Sequence, residues 1–213
     1  MKKTILTLIS LTMITMANAQ DIKLPTVDLT QQSKSMVETL QKRHSVRSYS
    51  AQELTLQQLS NLCWAACGQQ RDNEHITAPT AMNKQEIRLF VFNKDGVYEY
   101  KVKENTLQMK VKGDYRRLVA GGKAFKQDFV MEAPVSLLMV IDFEMFGSQD
   151  DNAMRMGCVD AGNVSENINL YCQSGGLSTG PRATHDTEGI KQLLGFTDKQ
   201  FPIMNNPVGY EKK

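Results

Sequence analysis

The sequence holds little of what usually announces a specialised chemistry. Its 213 residues include four cysteines, three histidines and one tryptophan, and Lys+Arg 25 against Asp+Glu 23 leave a formal charge of only +2. Four cysteines in a chain this long do not make a disulfide scaffold. Cys63 and Cys67 stand four apart on one predicted helix, a spacing closer to core packing than to disulfide geometry. Cys158 and Cys172 fall at opposite ends of another helix, about 21 Å apart at 1.5 Å per residue, and cannot pair with each other. Other pairings stay open. His44, His75 and His185 are scattered, with no H-x-x-x-H or C-x-x-C spacing, which argues against a zinc site. The charge balance offers no basic surplus for a nucleic-acid partner. There is no G-x-S-x-G or triad signature, no internal repeat and no low-complexity block. What remains is an ordinary globular balance, 41% hydrophobic and 23% charged, of a length that fits one domain.

One apolar run stands out, at the N-terminus. Lys2 and Lys3 precede an apolar stretch from Ile5 to Met16, and Ala17-Asn18-Ala19 forms a small-x-small site before Gln20. This predicts a signal peptide over 1–19 and export to a periplasm or the outside. The run is short for a bilayer span, and no later segment is apolar enough for one, so no membrane contact is expected after cleavage.

The mature chain, 20–213, reads as one domain. Residues 21–32 form an extended lead-in. Helices are predicted over 35–43, with Met36, Val37 and Leu40 at helical spacing, and over 54–67, stopped by Gly68. Residues 71–83 read as a polar loop. Residues 85–93 and 97–102 alternate about the turn Asn93-Lys94-Asp95-Gly96 and predict a hairpin. The stretch 105–122 reads as partly helical, and 124–129 as a helical turn or two. Residues 135–141 form an apolar strand buried on both faces. The clearest helix spans 158–174, with Asp150 and Asp151 read as a solvated loop before it. Residues 177–184 read as an irregular segment or a short strand, Asp186 caps a helix to Leu194, and 201–210 reads as an edge-like strand with two prolines. The order suggests an α+β sandwich, a mixed or antiparallel sheet flanked by helices.

Three clusters could carry chemistry. Arg43, His44, Ser45 and Arg47 group two guanidiniums, an imidazole and a hydroxyl at a helix end, a credible grip for a monophosphate. The same run also fits a solvated basic terminus that complements the helix dipole. The loop 77–86 carries Asn83 and Gln85, whose amides could read the edge of a ring bearing carbonyl and N–H groups. It also fits a plain turn before a strand. The stretch 175–186 is glycine-rich, so its backbone N–H groups can approach a ligand closely, and Arg182 could neutralise an anion. It fits a flexible connector equally well.

In their order and spacing the three clusters resemble the nitroreductase family of FMN flavoproteins. Arg43, Ser45 and Arg47 match its R-x-S-x-R/K stretch. Residues 59–68 are similar to its Leu-, Trp- and Ala-rich helix. Pro79-Thr80-Ala81-Met82-Asn83-Lys84-Gln85 resembles its P-S-x-x-N-x-Q loop, with Thr80 in place of Ser. Asp160-Ala161-Gly162, Glu166-Asn167, Leu170 and Gly176-Leu177-Ser178 take the places of its long helix and following turn, with Glu166 in place of Gln. Val208-Gly209-Tyr210 matches its V-G-Y/H ending. The likeness covers 33–210 and looks most like the compact SagB/ThcOx-type branch.

The resemblance implies a nitroreductase-like α/β sandwich in a domain-intertwined homodimer with FMN at the interface. Arg43, His44, Ser45 and Arg47 would hold phosphate and ribityl. Asn83 and Gln85 would meet the ring or ribityl, from the same or the partner subunit. Pro181, Arg182, Ala183 and Thr184 would form the segment whose amides approach the flavin N5 and O4. A basic C-terminal tail touches the phosphate in some members; here the sequence reads Lys212-Lys213, and that contact stays open. The implied activity is an FMN-dependent oxidoreductase working by ping-pong between a small-molecule donor and a small electron-poor acceptor, with no catalytic side chain. Export would separate it from the cytoplasmic NAD(P)H pool and call for another electron source. The alternative is a non-catalytic protein that binds flavin or another planar ligand on the same fold.

Overall fold

The computed structural model describes residues 20–28, 30, 34–71, 73–122 and 125–212. The expected signal peptide, 1–19, lies outside the described residues. Among those described, the strands are β1 (Ile22–Lys23), β2 (Gln69–Gln70), β3 (His75–Ile76), β4 (Ile87–Phe92), β5 (Gly96–Lys101), β6 (Thr106–Lys112), β7 (Val135–Asp142), β8 (Ser178–Thr179) and β9 (Gln200–Gly209). The helices are α1 (Met36–Lys42), α2 (Leu56–Cys67), α3 (Arg116–Ala120), α4 (Phe129–Glu132), α5 (Phe143–Phe146), α6 (Asp151–Ser174) and α7 (Thr187–Leu194).

Seven strands form one sheet in the order β1-β6-β5-β4-β7-β9-β8, and every pairing is antiparallel. Side-chain alternation divides two cores. Ile87, Leu89 and Val91 of β4 and Val135, Leu137, Met139 and Ile141 of β7 face α2 and α6. Phe90, Phe92, Leu138 and Val140 face α3, α4 and α7, where Val119, Val130 and Ile190 meet them. All eight residues of β7 are buried, as expected of a strand covered on both faces. The result is an α+β sandwich with helices on both sides of an antiparallel sheet.

Local signals set most element ends. Thr55 and Gln58 close a capping box on α2. Asn93 Oδ1 accepts from the amides of Asp95 and Gly96, each at 2.9 Å, and so builds the β4–β5 turn. The Asp186 carboxylate accepts from Gly189 N at 3.0 Å, and Gly195 ends α7 in the left-handed region at φ 64°.

Five expectations need correction. Residues 106–112 are strand, not helix: Leu107, Met109 and Val111 alternate with Gln108, Lys110 and Lys112, and α3 begins only at Arg116. The loop 71–83 contains β3, which pairs with β2 just before it, Gln69 with Ile76 and Gln70 with His75. Helix α6 starts seven residues early, because Asp150 is its cap, accepting from Ala153 N at 2.8 Å. Strand β9 is no edge but pairs along its length with β7. Its prolines are tolerated because Pro202 sits beside the shift in register, while β8 on the far side reaches only Val208 and Gly209. Finally, α1 forms, but Met36, Val37 and Leu40 are exposed, and Thr39 is its buried residue.

Candidate functional site

The first and third clusters meet at the β8 end of the sheet. After α1 the chain runs extended, with Val46 N donating to Thr179 O at 3.0 Å. Val46 and Tyr49 are buried, and the alternation turns Ser45 and Arg47 outward. Tyr49 anchors the run: its hydroxyl lies 3.0 Å from Val46 O and 3.2 Å from Pro207 O, and burial raises its pKa. Gly180 permits the close approach, since a Cβ there would sit 3.1 Å from Val46 O and 3.4 Å from Ser45 Cβ.

The exposed groups on this edge differ in their commitments. His44 Nδ1 lies 2.9 Å from Lys42 O, and its Nε2 lies 3.8 Å from Glu211. The side chains of Arg43, Ser45 and Arg47 make no hydrogen bond or ion pair with any described residue. The C-terminal tail returns beside them. Ser50 N donates to Tyr210 O at 2.8 Å, Tyr49 bridges Glu211, and Lys212 N donates to Ser48 O at 3.2 Å. The tail thus lies against Ser48–Ser50, with Lys212 lining the groove beyond Tyr49.

The glycine-rich segment divides between structure and display. Arg182 pairs its backbone with Asn205, N to O at 3.0 Å and O to N at 2.7 Å. Its guanidinium turns into the chain. It donates to Gln127 Oε1 at 2.7 Å, Asn205 Oδ1 at 2.9 Å, Ala120 O at 3.0 Å and the carbonyl of Val119, and lies 5.8 Å over the Phe129 ring. Burial pulls its pKa down to about 10, so it stays charged at neutral pH. Pro181 and Ala183 are exposed, and the amides of Ala183 and Thr184 donate to nothing among the described residues.

Behind this edge lies a polar network that the sequence reading passed over. Asn206, fully buried, accepts from Ser165 Oγ at 2.8 Å and donates to Asn169 Oδ1 at 3.1 Å and Thr179 Oγ1 at 3.3 Å. It ties β9, α6 and β8 together under the site. The available signal was two asparagines inside a strand, where that residue is disfavoured.

The second cluster is elsewhere. Gln85 Nε2 donates to Glu74 O at 2.8 Å and Asn83 Oδ1 at 2.9 Å, and Asn83 Nδ2 to Glu74 O at 3.3 Å. The loop is pinned to α6 through Asp160, whereas Asn169 and Cys172 of α6 border Arg43 and His44. Nine to twelve helical residues, roughly 14–18 Å at 1.5 Å each, separate the two ends. The chain therefore joins Arg43–Arg47 with Gly180–Thr184 and keeps Asn83 and Gln85 apart from them.

A groove of about 680 Å³ lies beyond Tyr49 among Ser50, Glu53, Lys94, Arg116 and Lys212. Lys94 is paired with Glu53 at 2.9 Å, and Arg116 with Asp114 at 2.6 Å. With these two cations paired, the groove offers fewer uncommitted donors than the edge of Arg43, Ser45 and Arg47. The cysteines are all unbonded. Burial pushes the thiols of Cys63, Cys67 and Cys172 up, that of Cys67 to about 12, and Cys158 is exposed.

Fold and site together define a sandwich with a basic, amide-lined edge. The chain belongs to the nitroreductase family, whose model matches residues 40–210. It is 28% identical over 205 residues to a nitroreductase-named protein of Methanocaldococcus jannaschii, covering 91% of this chain and 98% of that one. A crystal structure of a nitroreductase-named protein from Ralstonia eutropha superposes with a TM-score of 0.81 at 29% identity, over 91% of this chain and 90% of that one. A Staphylococcus epidermidis protein named as an NAD(P)H:FMN oxidoreductase shares the fold, with a TM-score of 0.64 at 13% identity over 88% and 92% of the two chains.

Proposed function

We propose that the protein is an FMN-dependent oxidoreductase that passes electrons from a small-molecule donor to a small electron-poor acceptor. The observation that carries this reading is the set of uncommitted donors on one edge: Arg43, Ser45 and Arg47 beside the amides of Ala183 and Thr184. Two guanidiniums and a hydroxyl suit a phosphate. Two free amides suit the polar edge of a ring on which negative charge develops during reduction. FMN, when bound, supplies the two-electron chemistry. The chain's own residues then grip, orient and hydrogen-bond, and the Asn206 network keeps β8 and β9 fixed behind them.

The separation of Asn83 and Gln85 favours a homodimer in which these residues serve the site of the second protomer. Exposed apolar side chains on α1 (Met36, Val37, Leu40), on α6 (Val159) and at Met82 beside the Asn83 loop supply surface for such a partner. The compact SagB/ThcOx-type branch and export of the mature chain belong to the same reading, with a donor other than cytoplasmic NAD(P)H.

The test is an absorption spectrum of the purified protein, followed by mass identification of any released cofactor and turnover with candidate donors. Two flavin bands, released FMN and reoxidation by an acceptor support the enzyme. Bound flavin that no donor reduces favours the non-catalytic binding protein. A colourless chain that refuses added FMN overturns the proposal.

A further inference from the structure

We propose that Glu86 and Asp160 share a single proton and act as a positioning pair that holds the loop 79–85 in the shape presenting Asn83 and Gln85. The loop needs holding. Met82, Asn83 and Gln85 stand at φ 54°, 52° and 53°, a region that L side chains resist. Its clamps are specific. Asp160 Oδ2 accepts from Ala81 N at 2.7 Å, Asn163 Nδ2 donates to Pro79 O at 3.1 Å, and Gln85 N donates to Thr80 Oγ1 at 3.1 Å. The strand end is tied by Asp142 N donating to Glu86 O at 3.0 Å.

Glu86 is fully buried, and neither carboxyl oxygen has a hydrogen-bond partner, which an ionised carboxylate would not tolerate. The neighbouring side chain is the buried carboxyl of Asp160. Two adjacent buried carboxylates cannot both ionise cheaply, and one proton resolves both problems, with Glu86 O–H donating to Asp160. Burial and Asp160 push the Glu86 carboxyl up to about 7. No cation among the described residues offsets the pair. Arg88 of β4 is held by Glu99 of β5 and Asp142 of β7, Asp142 also accepts from Gln200 of β9, and Lys84 reaches toward Gly147. Loss of the proton leaves like charges under a strained loop, and the Ala81 clamp loosens.

The test is amide hydrogen exchange of loop 77–86 in the flavin-free protein from pH 5.5 to 8.5, corrected for intrinsic rates. Protection of the Ala81 amide should fall about tenfold per pH unit from pH 5.5 toward 7 in the wild type and level off above it. Glu86→Gln, whose amide donates to Asp160 at every pH, should show no such fall. Asp160→Asn accepts from Ala81 and donates to Glu86, and should flatten the profile likewise if Glu86→Gln does not fold. A wild-type protection independent of pH, or an equal slope in the folded variant, overturns the proposal. A second arm rests on the FMN reading: FMN affinity should weaken as pH rises toward 7 in the wild type and not in Glu86→Gln. Failure to bind FMN at any pH defeats that reading alone, while the exchange arm still decides the clamp.

Discussion

Replacing Arg182 by alanine should damage the fold before it touches any ligand. The guanidinium donates to Val119 O, Ala120 O, Asn205 Oδ1 and Gln127 Oε1, and it packs on the Phe129 ring. Hydrogen bonds from a charged donor are worth about 1.5–3 kcal/mol each, and an orphaned buried acceptor costs about 1–3 kcal/mol. The side chain is only partly buried, so water will reach some of the four acceptors after truncation. A net loss of about 3–5 kcal/mol follows, at the upper end for a single substitution. With a urea slope of about 2 kcal/mol/M, the midpoint should drop by about 2 M. The single tryptophan, Trp64, bonded through Nε1 to Gln69 O at 2.9 Å, gives a fluorescence readout of unfolding in the flavin-free protein. Arg182→Lys should recover only part of the loss, since one ammonium cannot reproduce the fork. FMN affinity of the folded variant should stay within a fewfold of wild type. An unchanged urea midpoint joined to a large loss of FMN affinity would refute this assignment and return Arg182 to the cofactor.

Arg43→Ala and Arg47→Ala should each cost about 1.5–3 kcal/mol of FMN affinity, measured by equilibrium dialysis, because charged donors to phosphate are lost. Their urea midpoints should barely move, since neither side chain bonds within the described chain. Gly157→Ala should lower stability by about 1–3 kcal/mol in a thermal melt, because α6 passes so close to the sheet that a Cβ would meet Ile141 side-chain carbons; those carbons lie at 2.7–2.9 Å. The raised Glu86 carboxyl adds stability that is full below its ordinary value of 4.5 and lost as pH rises to about 7. That amounts to up to about 3 kcal/mol, read as a pH-dependent urea midpoint that Glu86→Gln flattens.

The elements that could be read from sequence were those whose periodicity and caps agree. Residues 87–92 alternate and end in an Asn-Lys-Asp-Gly turn, 135–141 are apolar throughout, and Asp186 and Gly195 bracket α7. Strand β6 was missed because its outer residues, Gln108, Lys110 and Lys112, dilute the apolar content, although the period of two was present. The start of α6 was missed because its first turns are polar and contain Gly157, which has its reason only once Ile141 lies beneath it. The exposed stripe of α1 shows a limit of another kind: spacing tells which residues share a face, not which way the face points.

For the site, residue type was legible and commitment was not. Arg43, Arg47 and Arg182 look alike in a sequence. Two of them are free on the surface, and the third is spent on carbonyls some sixty residues upstream. Glu86 stands in sequence only as the last residue of a loop feeding a strand, and its burial beside Asp160 of α6 emerges only in the fold. The long helix gives these facts a common cause. Asp160 near its middle fixes the loop of Asn83 and Gln85, and Ser165 and Asn169 further on fix Asn206 beneath Arg43–Arg47. Helix α6 therefore sets the spacing between the two residue clusters at a length that one chain does not close. In the proposed dimer, a ligand that uses both lies where a second copy brings its own loop to this edge. The strain at Met82, Asn83 and Gln85 and the proposed proton between Glu86 and Asp160 would then act on a partner's ligand as much as on the chain that carries them.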